Sequence, residues 1–183
     1  NVRKTKQVHK NHLPLHPHQD IGYYNLLDNK NLERYIDYAK KYGFYAYMFW
    51  HYFFSDGIIM NKPLDIIVNN KKFNIKWFLG WANENWTKRW DGGDNNILLK
   101  IDININQAEL HFNSIKKYFQ HKFYLRIDNK PCLAIYRSNE ISQEYIDKLN
   151  QLAIKNGFKG IYFINTLGQK WNVTKINKNI YWE

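Results

Sequence analysis

The chain has 183 residues, 44 % of them hydrophobic and 17 % aromatic, and a formal net charge of +11. This is length enough for one domain with a packed core, and the composition is too hydrophobic for a disordered polymer. No apolar run approaches the roughly 20 residues that span a bilayer. The charge is mostly lysine spread along the whole length, which reads as a solvated surface rather than a nucleic-acid arm. No signal-peptide pattern opens the sequence, so a cytoplasmic location is expected.

Residues 1–30 show no period and hold Pro14, Pro17, Gly22 and four histidines, which reads as a long loop. Asp28 offers a helix cap. Leu32, Tyr35, Ile36 and Ala39 follow at helical spacing, and Gly43 closes that helix. Phe44–Trp50 is a continuous aromatic and apolar run of strand length, Ser55–Gly57 a turn, and Pro63–Val68 a short helix with Pro63 in its first turn. A second apolar run, Ile75–Trp81, leads into the polar, Gly-containing stretch Ala82–Asp94, read as a loop. Residues 106–120 are expected to be helical, with Leu110, Ile115 and Phe119 on one face. Asn129 marks a turn before the strand Pro131–Tyr136. Ser142 caps a helix running to Asn156-Gly157, and Gly160–Asn165 is a fourth strand. The single cysteine, Cys132, reads as a small core residue.

Helices alternating with strands argue for parallel strands covered by helices. A doubly wound sheet and an eight-fold barrel compete. No Gly-x-Gly-x-x-Gly follows a strand, and the large polar loops follow strand C-terminal ends, where a barrel keeps its active site. The expected fold is therefore α/β, a partial (β/α)8 TIM-type barrel. A full barrel needs roughly 250 residues, so residues 1–183 read as a single incomplete barrel domain without the first and the last strands. Open sheet edges then predict self-association.

The richest segment is Gly80–Gly93, which follows a strand and carries Trp81, Asn83, Glu84, Asn85, Trp86, Arg89, Trp90 and Asp91. Indole faces stack on the apolar faces of sugar rings, while amides and carboxylates pair with hydroxyls. A glycan or sugar substrate is therefore expected here, bound by these residues; Asn83-Glu84 resembles the Asn-Glu pair that ends a barrel strand in many glycosidases, which implies Glu84 as the catalytic carboxylate. The plainer alternative packs this loop on its own barrel with Glu84 paired to Arg89. At the preceding strand end, Trp50, His51 and Tyr52 form a second cluster of ring donors. Asp20, Tyr23 and Tyr24 close the opening loop and suit hydroxyl contacts. The spacing of His9, His12, His16 and His18 matches no zinc pattern, and no metal or cofactor is expected.

These blocks, in order, resemble a known family. They are His12-Leu-Pro-Leu-His16, Asp20-Ile-Gly-Tyr-Tyr-Asn-Leu26, Tyr38-Ala-Lys-Lys-Tyr-Gly43, Trp50-His-Tyr-Phe-Phe54, Lys62-Pro-Leu-Asp65, Trp81-Ala-Asn-Glu-Asn-Trp86 with Arg89-Trp-Asp-Gly92, Tyr124-Leu-Arg-Ile-Asp-Asn-Lys-Pro131, Ile135-Tyr-Arg137 and Gly157-Phe-Lys-Gly-Ile161. The chain resembles the WbsX family of glycosyltransferases from surface-polysaccharide gene clusters, and more remotely the endo-α-mannosidase type of glycoside hydrolase. The resemblance implies a carbohydrate-active enzyme: a transferase of lipopolysaccharide O-antigen or capsule biosynthesis, an endo-acting hydrolase, or a glycan-binding fragment without catalysis. Family members open with a Pro-Gln-Phe-His type strand and carry a late Asn-Glu-Trp-x-Glu-Gly type motif. Neither is in this sequence. The expectation is therefore sugar binding without the full catalytic pair.

Overall fold

A computed structural model describes residues 17–89, 92–166 and 180–182. Helix α1, Asn29–Lys41, begins where Asp28 accepts the Lys30 N–H at 2.9 Å. It ends where Gly43, at φ +74°, lets the Phe44 N–H reach back to the Ala39 carbonyl at 2.9 Å. Strand β1, Ala46–Phe54, runs four residues past the expected end and pairs at its tip with β2, Gly57–Ile59. After α2, Lys62–Asn69, comes β3, Lys76–Trp81.

The stretch read from sequence as a loop instead folds partly as a hairpin, β4 (Trp86–Lys88) with β5 (Gly93–Leu99). Helix α3, Gln107–Phe119, follows. Strands β6, Arg126–Ile127, and β7, Lys130–Ile135, are joined by Asp128 and Asn129 at φ +52° and +62°. Two successive residues of positive φ are what a tight two-residue hairpin turn demands. Helix α4, Gln143–Lys155, starts where Ser142 caps the Tyr145 N–H, and β8, Tyr162–Asn165, and β9, Ile180–Trp182, complete the order.

Strands β1, β3, β7, β8 and β9 are parallel neighbours in chain order. Among the described strands that order does not reverse. The register sets His51, Trp81, Ile135 and Asn165 in one row across the strands. Trp50, Gly80, Ala134 and Ile164 form the row before it. Successive side chains alternate faces, so the two rows point opposite ways.

The larger core covers one face. There Trp77, Leu79, Trp81, Leu133, Ile135 and Phe163 pack against all four helices. The other face carries a smaller cluster of Leu125, Cys132, Ala134 and Ile164, with Met48 and Phe78 half-buried beside it. Cys132 is buried in this cluster, as its sequence context suggested. Tyr124, fully buried, bridges β3 and β7. Its hydroxyl donates to the Cys132 carbonyl at 2.7 Å and accepts the Leu79 N–H at 3.1 Å.

One expected helix face needs correction. Leu110 is 60 % exposed, while Ala108, His111, Phe112, Ile115, Tyr118 and Phe119 are buried. Ile115 and Phe119 do face inward. The apolar stripe is offset by one residue from the reading that put Leu110 beside them, and His111 takes the inward position.

Candidate functional site

Four parallel strands deliver polar and aromatic side chains to one end of the sheet. From β1 come Trp50, His51 and Tyr52. Asn83 and Glu84 follow β3, Tyr136, Arg137 and Ser138 follow β7, and Asn165 ends β8. The ladder continues into these residues: the Ala82 N–H donates to the His51 carbonyl at 3.1 Å, and the Tyr136 N–H to the Trp81 carbonyl at 3.1 Å. This backbone continuity gives the site a rigid base.

At its centre, Asn83 is clamped to Arg137. The Asn83 Nδ2 donates to the Arg137 carbonyl and the Arg137 N–H donates to Asn83 Oδ1, both at 2.8 Å. Asn83 is 1 % exposed, so removal of its amide leaves two backbone groups to find other partners. Asn83→Ala is expected to cost about 2–6 kcal/mol, taking about 1–3 kcal/mol for each buried group left unpaired. Urea unfolding at unchanged m-value measures it, and a loss under 0.5 kcal/mol would contradict the clamp.

The Arg137 guanidinium bridges two carboxylates, Glu84 Oε2 at 2.8 Å and Glu140 Oε1 at 2.9 Å. Those bonds and charges hold its pKa above the usual guanidinium value against the opposing effect of burial. The alternative pairing of Glu84 with Arg89 is thus replaced by a partner 53 residues away in sequence. Sequence reasoning placed Arg137 in a strand-end block but gave it no role. Nothing local signalled it, because the contact exists only once β3 and β7 are paired. Ser138 and Asn165 were also missed: the Ser138 hydroxyl donates to Asn165 Oδ1 at 2.8 Å, both residues being buried.

Beside this polar centre stands an aromatic corner. Trp50, 38 % exposed, meets Tyr136 edge to face at 5.8 Å with planes 88° apart. Gly80 lies between their strands, and a Cβ there would come within 2.8 Å of the Met48 Sδ. Trp86 is wedged edge-on against Tyr52 at 5.4 Å and Phe54 at 5.5 Å, anchoring the hairpin. Burial raises the Tyr52 phenol above its ordinary value, and the Glu84 charge adds to the shift. Asn85 uses its carbonyl oxygen to accept the Ile101 N–H at 2.7 Å, which ties down the chain leaving the hairpin. Arg89 is exposed on the hairpin. Trp90 and Asp91 lie outside the described residues.

Other expected contact residues sit elsewhere. Trp81 is fully buried on the helix-covered face against His111 and Tyr145, and His51 is 1 % exposed in the same layer. Neither offers surface to a ligand on the opposite face. Asp20 and Tyr24 lie along α1: the Asp20 carbonyl accepts the Tyr38 hydroxyl at 2.9 Å, and Tyr24 meets Tyr35 edge-on. Tyr38 is in the last turn of α1, the end that leads to the start of β1, so Asp20 is not brought to Glu84. Tyr23, between them in sequence, is half-buried. His18 pairs with Asp20 at 3.3 Å, and His9, His12 and His16 lie outside the described residues. Among the described residues no three His, Cys, Asp or Glu side chains converge as metal ligands.

A mixed α/β fold with parallel strands is shared with a solved structure described as a "Glycoside hydrolase-like protein". The match has a TM-score of 0.54 and 15 % identity, and covers 79 % of this chain and 45 % of that one. At that identity the likeness concerns the fold alone. The family is fixed by sequence: residues 1–181 match the model of the glycosyltransferase WbsX family, and the chain belongs to it. It is also similar to uncharacterized WxcX proteins from two strains of Xanthomonas campestris pv. campestris, with 26 % identity over 137 residues. Those residues are 75 % of this chain, and the match spans about one fifth of the relatives' length. Among the described residues no helix is long and apolar enough to cross a membrane.

Proposed function

We propose that this end of the sheet is a glycan site at which Glu84 is the catalytic carboxylate of sugar transfer in surface-polysaccharide biosynthesis. The observation that carries the reading is the placement of the Arg137-held Glu84 beside the Trp50–Tyr136 corner. An exposed indole gives a sugar ring a flat apolar partner, and a carboxylate within the same site stabilises the cation-like sugar centre through which transfer and hydrolysis both pass. In this reading Trp50, Tyr52, Tyr136 and Asn83 shape the site, Asn85 and Trp86 anchor the hairpin, and Arg89, Trp90 and Asp91 are further candidates for contact with the sugar.

The resemblance to hydrolases in fold supports a second reading, endo-acting hydrolysis with the same carboxylate. A glycan-array screen of the chain beside Glu84→Ala and Trp50→Ala tests the site. Binding retained in both variants, or absent in the parent, overturns the location. Turnover of a bound glycan with and without an activated sugar donor then separates transfer, hydrolysis and binding without catalysis.

The same reading makes the sheet one wall of a (β/α)8 barrel, working in the cytoplasm. Its support is the unreversed order of the described strands, with the helices gathered on one face and a smaller apolar cluster on the other. Among the described residues, β2 covers the outer edge of β1 only at Tyr52–Phe54, and none pairs with that edge at Ala46–His51. The isolated chain is expected to self-associate through it. A monodisperse monomer by light scattering, melting in one cooperative step, would contradict that.

A further inference from the structure

Under the C-terminal ends of β1 and β3, against α3 and α4, lies a layer of rings that the glycan reading does not use. His51 and His111 stack at 5.3 Å with their planes 8° apart. Trp81 lies 4.3 Å from His111, Phe53 lies 4.6 Å from it, and Tyr145 stacks on Trp81 at 5.6 Å. His51 is 1 % exposed, and Trp81, His111 and Tyr145 are fully buried.

Four polar atoms in this layer find no hydrogen-bond partner among the described residues: Nδ1 and Nε2 of His51, Nε2 of His111 and Nε1 of Trp81. The remaining His111 nitrogen, Nδ1, is 3.0 Å from the Tyr145 hydroxyl. Each buried polar atom left unpaired costs about 1–3 kcal/mol. Four together would consume a large part of the roughly 5–15 kcal/mol that holds a domain folded. Native interiors keep such groups paired, with protein or with ordered water.

The chemistry of the four atoms selects the partner. An indole N–H only donates, and a neutral imidazole offers one donor and one acceptor nitrogen. Both histidines are held neutral: burial pushes His51 down to about 3, and burial and then the charge of His51 push His111 well below its ordinary value. The set therefore mixes donors and acceptors, which suits neither a cation nor an anion. It suits a molecule that donates and accepts at once, and a buried water typically makes about three such bonds.

We propose that His51, His111 and Trp81 form an internal hydration site, in which buried water accepts from the Trp81 indole and donates to an imidazole nitrogen. The site lies directly under the loop that carries Asn83 and Glu84, because the His51 carbonyl holds the first residue of that loop, Ala82. The inference is independent of any carbohydrate activity.

Water–protein NOE and ROE spectra of the ¹⁵N-labelled full chain test it, with Tyr145→Phe as a second sample to remove relay through the phenol. The Trp81 indole proton is expected to show a cross-peak at the water frequency, of the sign given by a long-lived buried molecule, in both samples. A high-resolution crystal structure is expected to place water within hydrogen-bond distance of Trp81 Nε1 and at least one imidazole nitrogen. No indole cross-peak, a cross-peak lost in Tyr145→Phe, or rings bonded directly to protein groups with no density between them would overturn the proposal.

Discussion

Lowering the pH from 7 to 5 is expected to remove about 2 kcal/mol of stability through His51, with a further loss of the same sign through His111. Both imidazoles are fully buried. Burial lowers the His51 pKa to about 3, and His111 also lies well below its ordinary value. In the unfolded chain each titrates near 6.5. Above that pH neither state holds the proton and the pair contributes nothing to the pH dependence. Below it the unfolded chain binds protons that the folded chain refuses, so stability falls with pH. For His51 the fall continues down to about pH 3, where the folded form also takes a proton. His51 loses about 1.4 kcal/mol per pH unit once well below 6.5, hence about 2 kcal/mol by pH 5, and His111 adds to the fall. Urea unfolding at half-unit pH intervals measures the slope. In His111→Phe the slope should drop by one proton equivalent. Stability that stays flat from pH 7 to 5.5 would mean that the two rings are not buried as neutral species.

Glu84→Gln is expected to lower turnover of the bound glycan by about 10²–10⁴-fold, the range for loss of a positioned acid–base group. The substitution keeps the size and one carbonyl acceptor for Arg137, so the clamp between Asn83 and the Arg137 backbone stays in place. The loss should fall on kcat with KM nearly unchanged, which marks an interaction made in the transition state. Arg137→Gln separates aim from stability. Its ion pair with Glu84 joins side chains that are 32 % and 33 % exposed, and pairs of that exposure contribute about 1 kcal/mol or less. Turnover should therefore suffer far more than the melting temperature, with partial recovery in Arg137→Lys. Near-normal turnover in Glu84→Gln would remove Glu84 from the chemistry.

Local signals in the sequence were read well, and partners distant in sequence were not. Asp28 and Ser142 announced their helices because a cap acts on backbone two or three residues away. Gly43 and Gly157 announced their ends because the positive φ required there is a property of one residue. The four apolar runs became parallel strands, although the first, Phe44–Trp50, is half-buried or exposed along its length. The hairpin β4–β5 escaped notice because Thr87, Lys88, Asn95 and Asn96 interrupt any alternation, and only its ends, Trp86 and Leu99, pack against the core. His111 escaped because a histidine reads as polar, whereas a neutral imidazole between Phe53 and Trp81 packs as a flat ring. In the candidate site, Glu84, Asn83 and Trp50 could be chosen from residue type and strand-end position. Arg137 required the register between β3 and β7. Trp81 and Trp50 illustrate the limit: both close apolar runs in the sequence and both are indoles, yet one residue of parity puts one in the core and leaves the other 38 % exposed.

The unreversed order of the strands also bears on how the chain reaches this structure. Each parallel strand from β1 to β8 docks beside the one made before it, across a connection that carries its own helix. Among the described strands from β1 to β8, none must wait for a later one to be inserted between it and its neighbour. Contacts of this kind stay comparatively short-range for a parallel sheet, and short-range contacts favour fast folding. On the ribosome, β1 and β3 with α1 and α2 can pair before β7 is synthesised, and the growing edge of the sheet then serves as the template for the next strand.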